Sequence, residues 1–465
     1  MTSRIERDPL GELPVPAAAL YGIQTERARQ NFSISGLRPR PAFVDGIVLV
    51  KKAAALTHRE TGRLDTRLAD AIVQAADEVL GGQHRDQFVV DPYQAGAGTS
   101  HNMNANEVLA NRANEILGGE RGKYVPVHPN DHVNMAQSTN DAIPTAMRLA
   151  ALLLLPRLCE AMGLLAEAFV GRGRQFDGVV KSGRTHLQDA TPIRLGQEFT
   201  AFGRTVERDS RRITEAADWL RDLNIGGSAV GTGLNVETAY PVLMVRHLSA
   251  ITGLELRVGS DKIQLMQSMG DFAAFSGVLR SYAVDLGKIA SDLRLLSSGP
   301  RTGLAEIKLP AVQPGSSIMP GKVNPSIAEM VNMVCYQVIG NDQVVALASE
   351  AGELELNVMM PVIAHNLLST LEILANASRT LAERCVHGIQ ADQRQCAYWL
   401  ERSPAIVTAL APRIGYARAA ELAKEAVARG LTVRELVAEK GILEPAELER
   451  VLDLHAMTEP GLPGE

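Results

Sequence analysis

Apolar residues recur in steps of three and four over long stretches of this chain. Leu279, Tyr282, Leu286, Ile289, Leu293 and Leu296 keep that spacing through about five helical turns. Met147, Ala151, Leu154, Leu158, Leu165 and Phe169 do the same between Thr145 and Phe169, where Pro156 is expected to kink the helix. Residues 201–223, 327–348 and 362–386 are further long helix candidates. Helices of this length with one apolar face pack into a bundle, so the stripes read as core and not as cofactor boxes. Before about Gln137 the helical patterns are shorter, and after Asp392 they are short and charged, around Ala423–Ala426 and Glu447–Arg450. The pattern predicts three parts: a mostly helical N-terminal domain over 1–136, a long-helix bundle over 137–392 and a small helical domain over 393–465. Long central helices of this kind find partners in other subunits, so an oligomer is expected.

Composition agrees with helix. Aromatic residues make up only 4% of the 465, hydrophobic residues 46% and charged residues 22%, the balance of a globular protein. A net charge of −6 without a long basic run argues against nucleic acid as a partner. The longest apolar run, Leu149 to Leu155, is too short to span a bilayer. Residues 1–8 lack the apolar segment of a signal peptide, so no membrane partner and a cytoplasmic location are expected. The four cysteines form no CxxC pair, so neither a zinc site nor a disulfide framework is indicated. His128 and His132 stand four apart, but Pro129 and Asn130 argue against the helix that would aim both at a metal. No metal and no cofactor are expected.

Five polar segments stand out. Gly96–Asn102 offers Thr99, Ser100 and Asn102, and Gln137–Asp141 offers Ser138, Thr139 and Asn140. Gly183–Gln188 sets Thr185 beside His186, and Gly226–Gly233 is rich in glycine. Each has an ordinary reading: Thr99, Ser138 and Asn140 suit caps and turns, His186 alone suits a satisfied histidine, and the Gly226–Gly233 run is followed by no Walker lysine. The fifth segment, 315–325, packs glycines, prolines, two serines, Lys322 and Asn324 into one loop. Its glycines permit sharp turns and its prolines forbid regular helix. Such a loop can aim N–H groups, hydroxyls and one ammonium at an anion. A small dicarboxylate needs a donor cluster at each end with at least one cation, and these segments supply such donors.

The loop Gly315-Ser316-Ser317-Ile318-Met319-Pro320-Gly321-Lys322-Val323-Asn324-Pro325 resembles the signature loop of the aspartase/fumarase superfamily, and the other segments match that superfamily's motif regions in order. The resemblance implies an all-α, three-domain fold whose long central bundle forms a twenty-helix core in a homotetramer. It implies active sites shared by three subunits and anti elimination from a succinyl skeleton to give fumarate. Ser316 would take the Cβ proton, leaving an aci-carboxylate that Thr99, Ser138, Thr139 and the N–H of Ser317 stabilise. Thr185, Lys322 and Asn324 would hold the other carboxylate. Asn140 and His186 would lie near the leaving group, with Glu329 as the histidine's carboxylate partner.

The leaving group is read from further stretches. Tyr21–Thr25 with Asn31–Gly36, Val50-Lys51-Lys52-Ala53, Thr139 in place of a second serine, the pair Met359-Met360 and the segment Glu435–Gly441 look like aspartases. His128-Pro129-Asn130-Asp131-His132 is similar to the second anion site of fumarases; Val334–Val338 and His365-Asn366 lean the same way. The balance favours ammonia elimination from L-aspartate, with elimination of water from L-malate, the class II fumarase reaction, as the alternative. A lyase for larger amines and a structural member, as in lens crystallins, rank below both.

Overall fold

The computed structural model describes residues 2–463 and is mainly helical. Among the described residues five helices exceed 20 residues: Thr139–Gln175, Leu195–Ala217, Gly270–Leu296, Ser326–Glu350 and Met360–Arg384. All five periodic stretches fall within or across these helices, with adjusted ends. The Thr145–Phe169 pattern belongs to a helix that begins six residues earlier and runs through both Pro144 and Pro156. Each proline removes one N–H donor, but Leu152, Leu155 and Leu158 around Pro156 are buried and hold the helix in place. The stretch expected as helix over 201–223 starts at Leu195 and stops at Ala217. Asp218–Arg221 is a 3-10 turn, and Asp222–Leu223 pairs in parallel with Arg257–Val258.

Thr139–Gln175 also corrects the view that nothing here is long and apolar enough for a bilayer. By length and composition this helix is, but 56% of its most apolar window is buried, as in the core helix of a globular fold.

Strands were not foreseen. The described strands pair two at a time. The first ribbon, Ser3–Asp8 with Gly11–Pro16, opens the chain, and Arg4 ties it down by donating to the carbonyls of Pro16, Ala17, Ala19 and Tyr21 at 2.8–3.2 Å.

The chain divides into two compact units, each discontinuous in sequence. The first comprises 1–159, 211–283 and 336–374. Ile47, Val50, Ile72, Val79, Val108, Leu109 and Leu149 fill its core with no exposed surface. Asp65 caps Thr66–Leu80 by accepting from the N–H groups of Arg67 and Leu68. Ser276 donates to Asp342 at 2.7 Å and Asn341 to Thr370 at 3.1 Å, polar ties between buried helix faces.

The second unit comprises 160–210, 284–335 and 375–465. Phe169, Phe176, Phe199 and Phe202 pack with ring centroids 5.2–6.1 Å apart. Its C-terminal part is a group of short helices. Tyr416–Arg429 contains the expected Ala423–Ala426 turn, and Pro445–Val451 contains Glu447–Arg450. Leu400, Ile406, Leu410, Leu436, Val437 and Val451 form one apolar cluster there.

One helix face is left uncovered. On Ser326–Glu350, Met333, Tyr336, Val344 and Leu347 lie along one stripe and are 37–67% exposed.

Candidate active site

In the first unit, backbone strain shapes the turn before Thr99. Ala97 (φ 59) and Gly98 (φ 84) are both left-handed, and the N–H of Ala97 donates to Val358 O at 2.8 Å. A side chain at Gly98 would meet Ile143 at 3.1 Å. The turn delivers Thr99 as the exposed first residue of the helix Thr99–Ile116, its hydroxyl donating to Gly96 O at 3.2 Å. The contact with Val358 sets the methionine-pair segment directly against this turn.

Ser138 begins the longest helix. Its hydroxyl accepts from the N–H of Asn140 at 3.2 Å, and its own N–H donates to Asp141 Oδ1 at 2.9 Å. The capping role weighed for this segment is therefore real, although the helix starts at Thr139 and not near Thr145. Asp141 has no exposed surface, and its second oxygen accepts from the N–H groups of Gly226 (2.9 Å) and Ser228 (3.0 Å). That explains the Gly226–Gly233 run: Gly226 is left-handed at φ 85, and a Cβ there would lie 2.6 Å from the Pro241 ring. Asn140 reaches the same loop, donating to Ala229 O at 2.8 Å. Burial pushes the Asp141 carboxyl up to about 6.

Beneath Thr139 lies a group the sequence reading used only as a mark of lineage. Lys51 has no exposed surface, and its ammonium donates to Asn102 Oδ1 (2.7 Å), Asn134 Oδ1 (2.8 Å) and Gln137 Oε1 (2.9 Å). Asn102 in turn donates to Thr139 Oγ1 at 3.3 Å. Burial pulls the Lys51 pKa down to about 7, with the charge of Asp141 opposing that. The signal was present: Lys51 follows Ile47 by one helical turn, on a face where a cation is rare unless held.

In the second unit, Thr185 and His186 sit on a β-hairpin, Val180–Thr185 with Gln188–Arg194. His186 and Leu187 form its two-residue turn with φ 56 and 58. Both central residues of such a turn need positive φ, normally met by Asn-Gly. For His and Leu this costs about 1–2 kcal/mol each, and the strained turn presents an exposed His186 at the tip. Buried charge anchors the hairpin's first strand. Glu306, fully buried, accepts from Arg184 at 2.9 Å and lies 3.2 Å from Lys181, a contact of charge without hydrogen-bond direction. Lys181 also donates to Glu198 at 3.0 Å.

The loop 315–325 is itself a closed hairpin. The N–H of Ser316 donates to Lys322 O at 3.1 Å, and that of Lys322 to Met319 O at 3.2 Å. The Ser316 hydroxyl oxygen accepts from the N–H groups of Ile318 (3.3 Å) and Met319 (3.1 Å). Two backbone dipoles aimed at one hydroxyl oxygen favour its deprotonated form, as a serine acting as base requires. Asn324 and Glu329 follow, Glu329 in the first turn of Ser326–Glu350.

Among the described residues, the side chains of Thr185, His186, Ser317, Lys322, Asn324 and Glu329 make no hydrogen bond or ion pair, His186 with Glu329 included. The structure thus gathers Thr99, Ser138, Thr139 and Asn140 in one unit and the remaining candidates in the other. His128 and His132 are differently employed. Pro129–Val133 forms one π-helical turn where no helix was expected; His128 Nδ1 accepts from the N–H of Asp131, and His132 Nδ1 from that of His128.

Known proteins resemble this chain over nearly its whole length. A family model described as "Lyase" matches residues 11–340, and one described as "Fumarase C C-terminus" matches 406–459. The chain is 49% identical over 463 residues to an aspartate ammonia-lyase of Bacillus subtilis, covering 99% of this chain and 97% of that one. It is 50% identical over 460 residues to a class II fumarate hydratase of Halobacterium salinarum, covering 99% and 98%. A crystal structure titled fumarate lyase:delta crystallin from Brucella melitensis, bound to cobalt, superposes with a TM-score of 0.96 at 52% identity, covering 99% of this chain and 100% of that one. With its fold, its signature loop and nearly its whole length so matched, the chain belongs to the aspartase/fumarase family of lyases.

Proposed function

We propose that this protein is an aspartate ammonia-lyase, converting L-aspartate to fumarate and ammonia by anti elimination. The observation that carries the reading is the Ser316 hydroxyl, held by two backbone N–H groups inside a loop closed onto the Lys322 carbonyl. As an alkoxide, Ser316 takes the Cβ proton, whose electron pair moves into the neighbouring carboxylate as an aci-carboxylate. Thr99, Ser138, Thr139 and the Ser317 N–H meet the charge that develops there. Collapse of that intermediate breaks the C–N bond, and ammonia leaves past Asn140 and His186. Thr185, Lys322 and Asn324 hold the second carboxylate, and Glu329 orients His186.

These groups belong to different copies in the reading: a homotetramer whose active sites each draw on three subunits. The exposed apolar stripe at Met333, Tyr336, Val344 and Leu347 supports it, because a stripe of this kind on a long helix is stable when another helix covers it. Two features favour ammonia over water as the leaving group: Thr139 in place of serine, and the methionine-pair segment, whose Val358 carbonyl holds the turn before Thr99. The 50% identity to a fumarate hydratase is the specific ground for hydration as the second reading.

Fumarate absorbance with L-aspartate and L-malate run side by side tests the reading. Fumarate from aspartate alone is expected; fumarate from malate alone would replace it with the hydratase reading.

A further inference from the structure

Lys51 is buried without an ion-pair partner among the described residues. Its three N–H bonds meet three amide oxygens, one each on Asn102, Asn134 and Gln137, at 2.7–2.9 Å. Asp141 is buried nearby, but the bonds to its oxygens come from backbone N–H groups of Ser138, Gly226 and Ser228. The ammonium is donor-only, so it fixes which way Asn102 faces: oxygen toward Lys51, amide nitrogen toward Thr139 (3.3 Å) and Asn134 (3.2 Å). A hydroxyl oxygen that accepts from Asn102 keeps its single O–H for another partner. The sequence Lys51 to Asn102 to Thr139 therefore points one donor away from the buried cation. Each link polarises the next in the same sense.

We infer that Lys51 is a positioning residue for substrate: its buried charge orients Asn102 so that the Thr139 hydroxyl is presented as a donor to one carboxylate of the dicarboxylate. The inference rests on the reading of Thr139 as a carboxylate ligand, and it adds a source of positive potential that never touches substrate. Lys322 is then not the sole cation serving the anion.

Two variants test it in the full-length protein. Lys51→Met removes the charge but leaves the buried amide oxygens of Asn102 and Gln137 without a donor, so it risks the fold. Asn134→Asp keeps the ammonium and sets a carboxylate against it where the amide oxygen now stands at 2.8 Å. KM for L-aspartate, Ki for succinate as an unreactive dicarboxylate, kcat and thermal midpoint are measured for both and for the parent. The expected result for Asn134→Asp is a midpoint near the parent's, the new ion pair offsetting the lost Asn134 Nδ2 bond to Gln137 O (3.2 Å), with KM and Ki rising together on the order of tenfold and a smaller change in kcat. A folded Asn134→Asp protein with KM and Ki at parental values would overturn the inference while leaving the lyase reading intact. A parent protein that neither yields fumarate nor binds succinate would overturn both.

Discussion

The N–H of Ser316 donates to the carbonyl of Lys322 at 3.1 Å, so the proposed base and the proposed substrate cation stand on opposite sides of one loop neck. The neck tolerates no side chain: a Cβ on Gly315 would lie 1.1 Å from that same carbonyl oxygen. Gly315→Ala must therefore open the neck and move Ser316 off its two N–H donors. Because the loop is largely exposed, the thermal midpoint is expected to stay near the parent's while kcat/KM falls by a factor on the order of 100. Steady-state kinetics beside a melting curve measures both; parental kcat/KM in the variant would show that the neck is not needed.

Lys322 is exposed and makes no ion pair among the described residues, so removing its charge should leave folding alone. Lys322→Ala is expected to raise KM on the order of tenfold or more, through loss of a charge-assisted bond to a carboxylate. An unchanged KM would place Lys322 away from the substrate.

Glu306 should behave in the opposite way. Glu306→Ala leaves Arg184 without its carboxylate and Lys181 with one carboxylate, Glu198, in place of two, in a site where Glu306 and Lys181 are almost wholly buried. Loss of one partner from such a set costs about 3–5 kcal/mol. The hairpin carrying Thr185 and His186 should loosen as well, so activity is expected to fall with stability. Chemical denaturation of the variant reads the first effect, and a midpoint equal to the parent's would dismiss it.

Asp141 gives a pH prediction. Burial raises its folded-state pKa from 3.8 to about 6. Between those values the folded chain binds more proton at this group than the unfolded chain does. Its contribution to stability is therefore fully present below about pH 4 and is lost as pH rises through about 6. Asp141→Asn removes the titration, so the fall in unfolding free energy from pH 4 to 7 should be shallower in the variant. Equal slopes in denaturant titrations across that range would refute it.

Much of this was legible in the sequence because it is local. Helical periodicity located the long helices, and the composition of the loop at 315–325 marked the signature motif. The hairpin at Thr185 was not legible: its turn uses His186 and Leu187 at positive φ where Asn-Gly would have announced it, and its anchor Glu306 lies more than a hundred residues away. Lys51 was visible as a residue and not as a site, because its three acceptors lie on two segments brought together only by folding. Ser138 was read as both cap and ligand, and the structure gives the cap; the ligand role stands on the chemistry proposed for its neighbours.

The central claim is that a serine removes the proton that starts elimination, and fumarate formation from L-aspartate by Ser316→Ala tests it most directly. The variant should fold as the parent does, because among the described residues the Ser316 hydroxyl bonds only to its own loop. Turnover is expected to vanish while succinate still binds. Parental turnover in the Ser316→Ala protein would contradict the account.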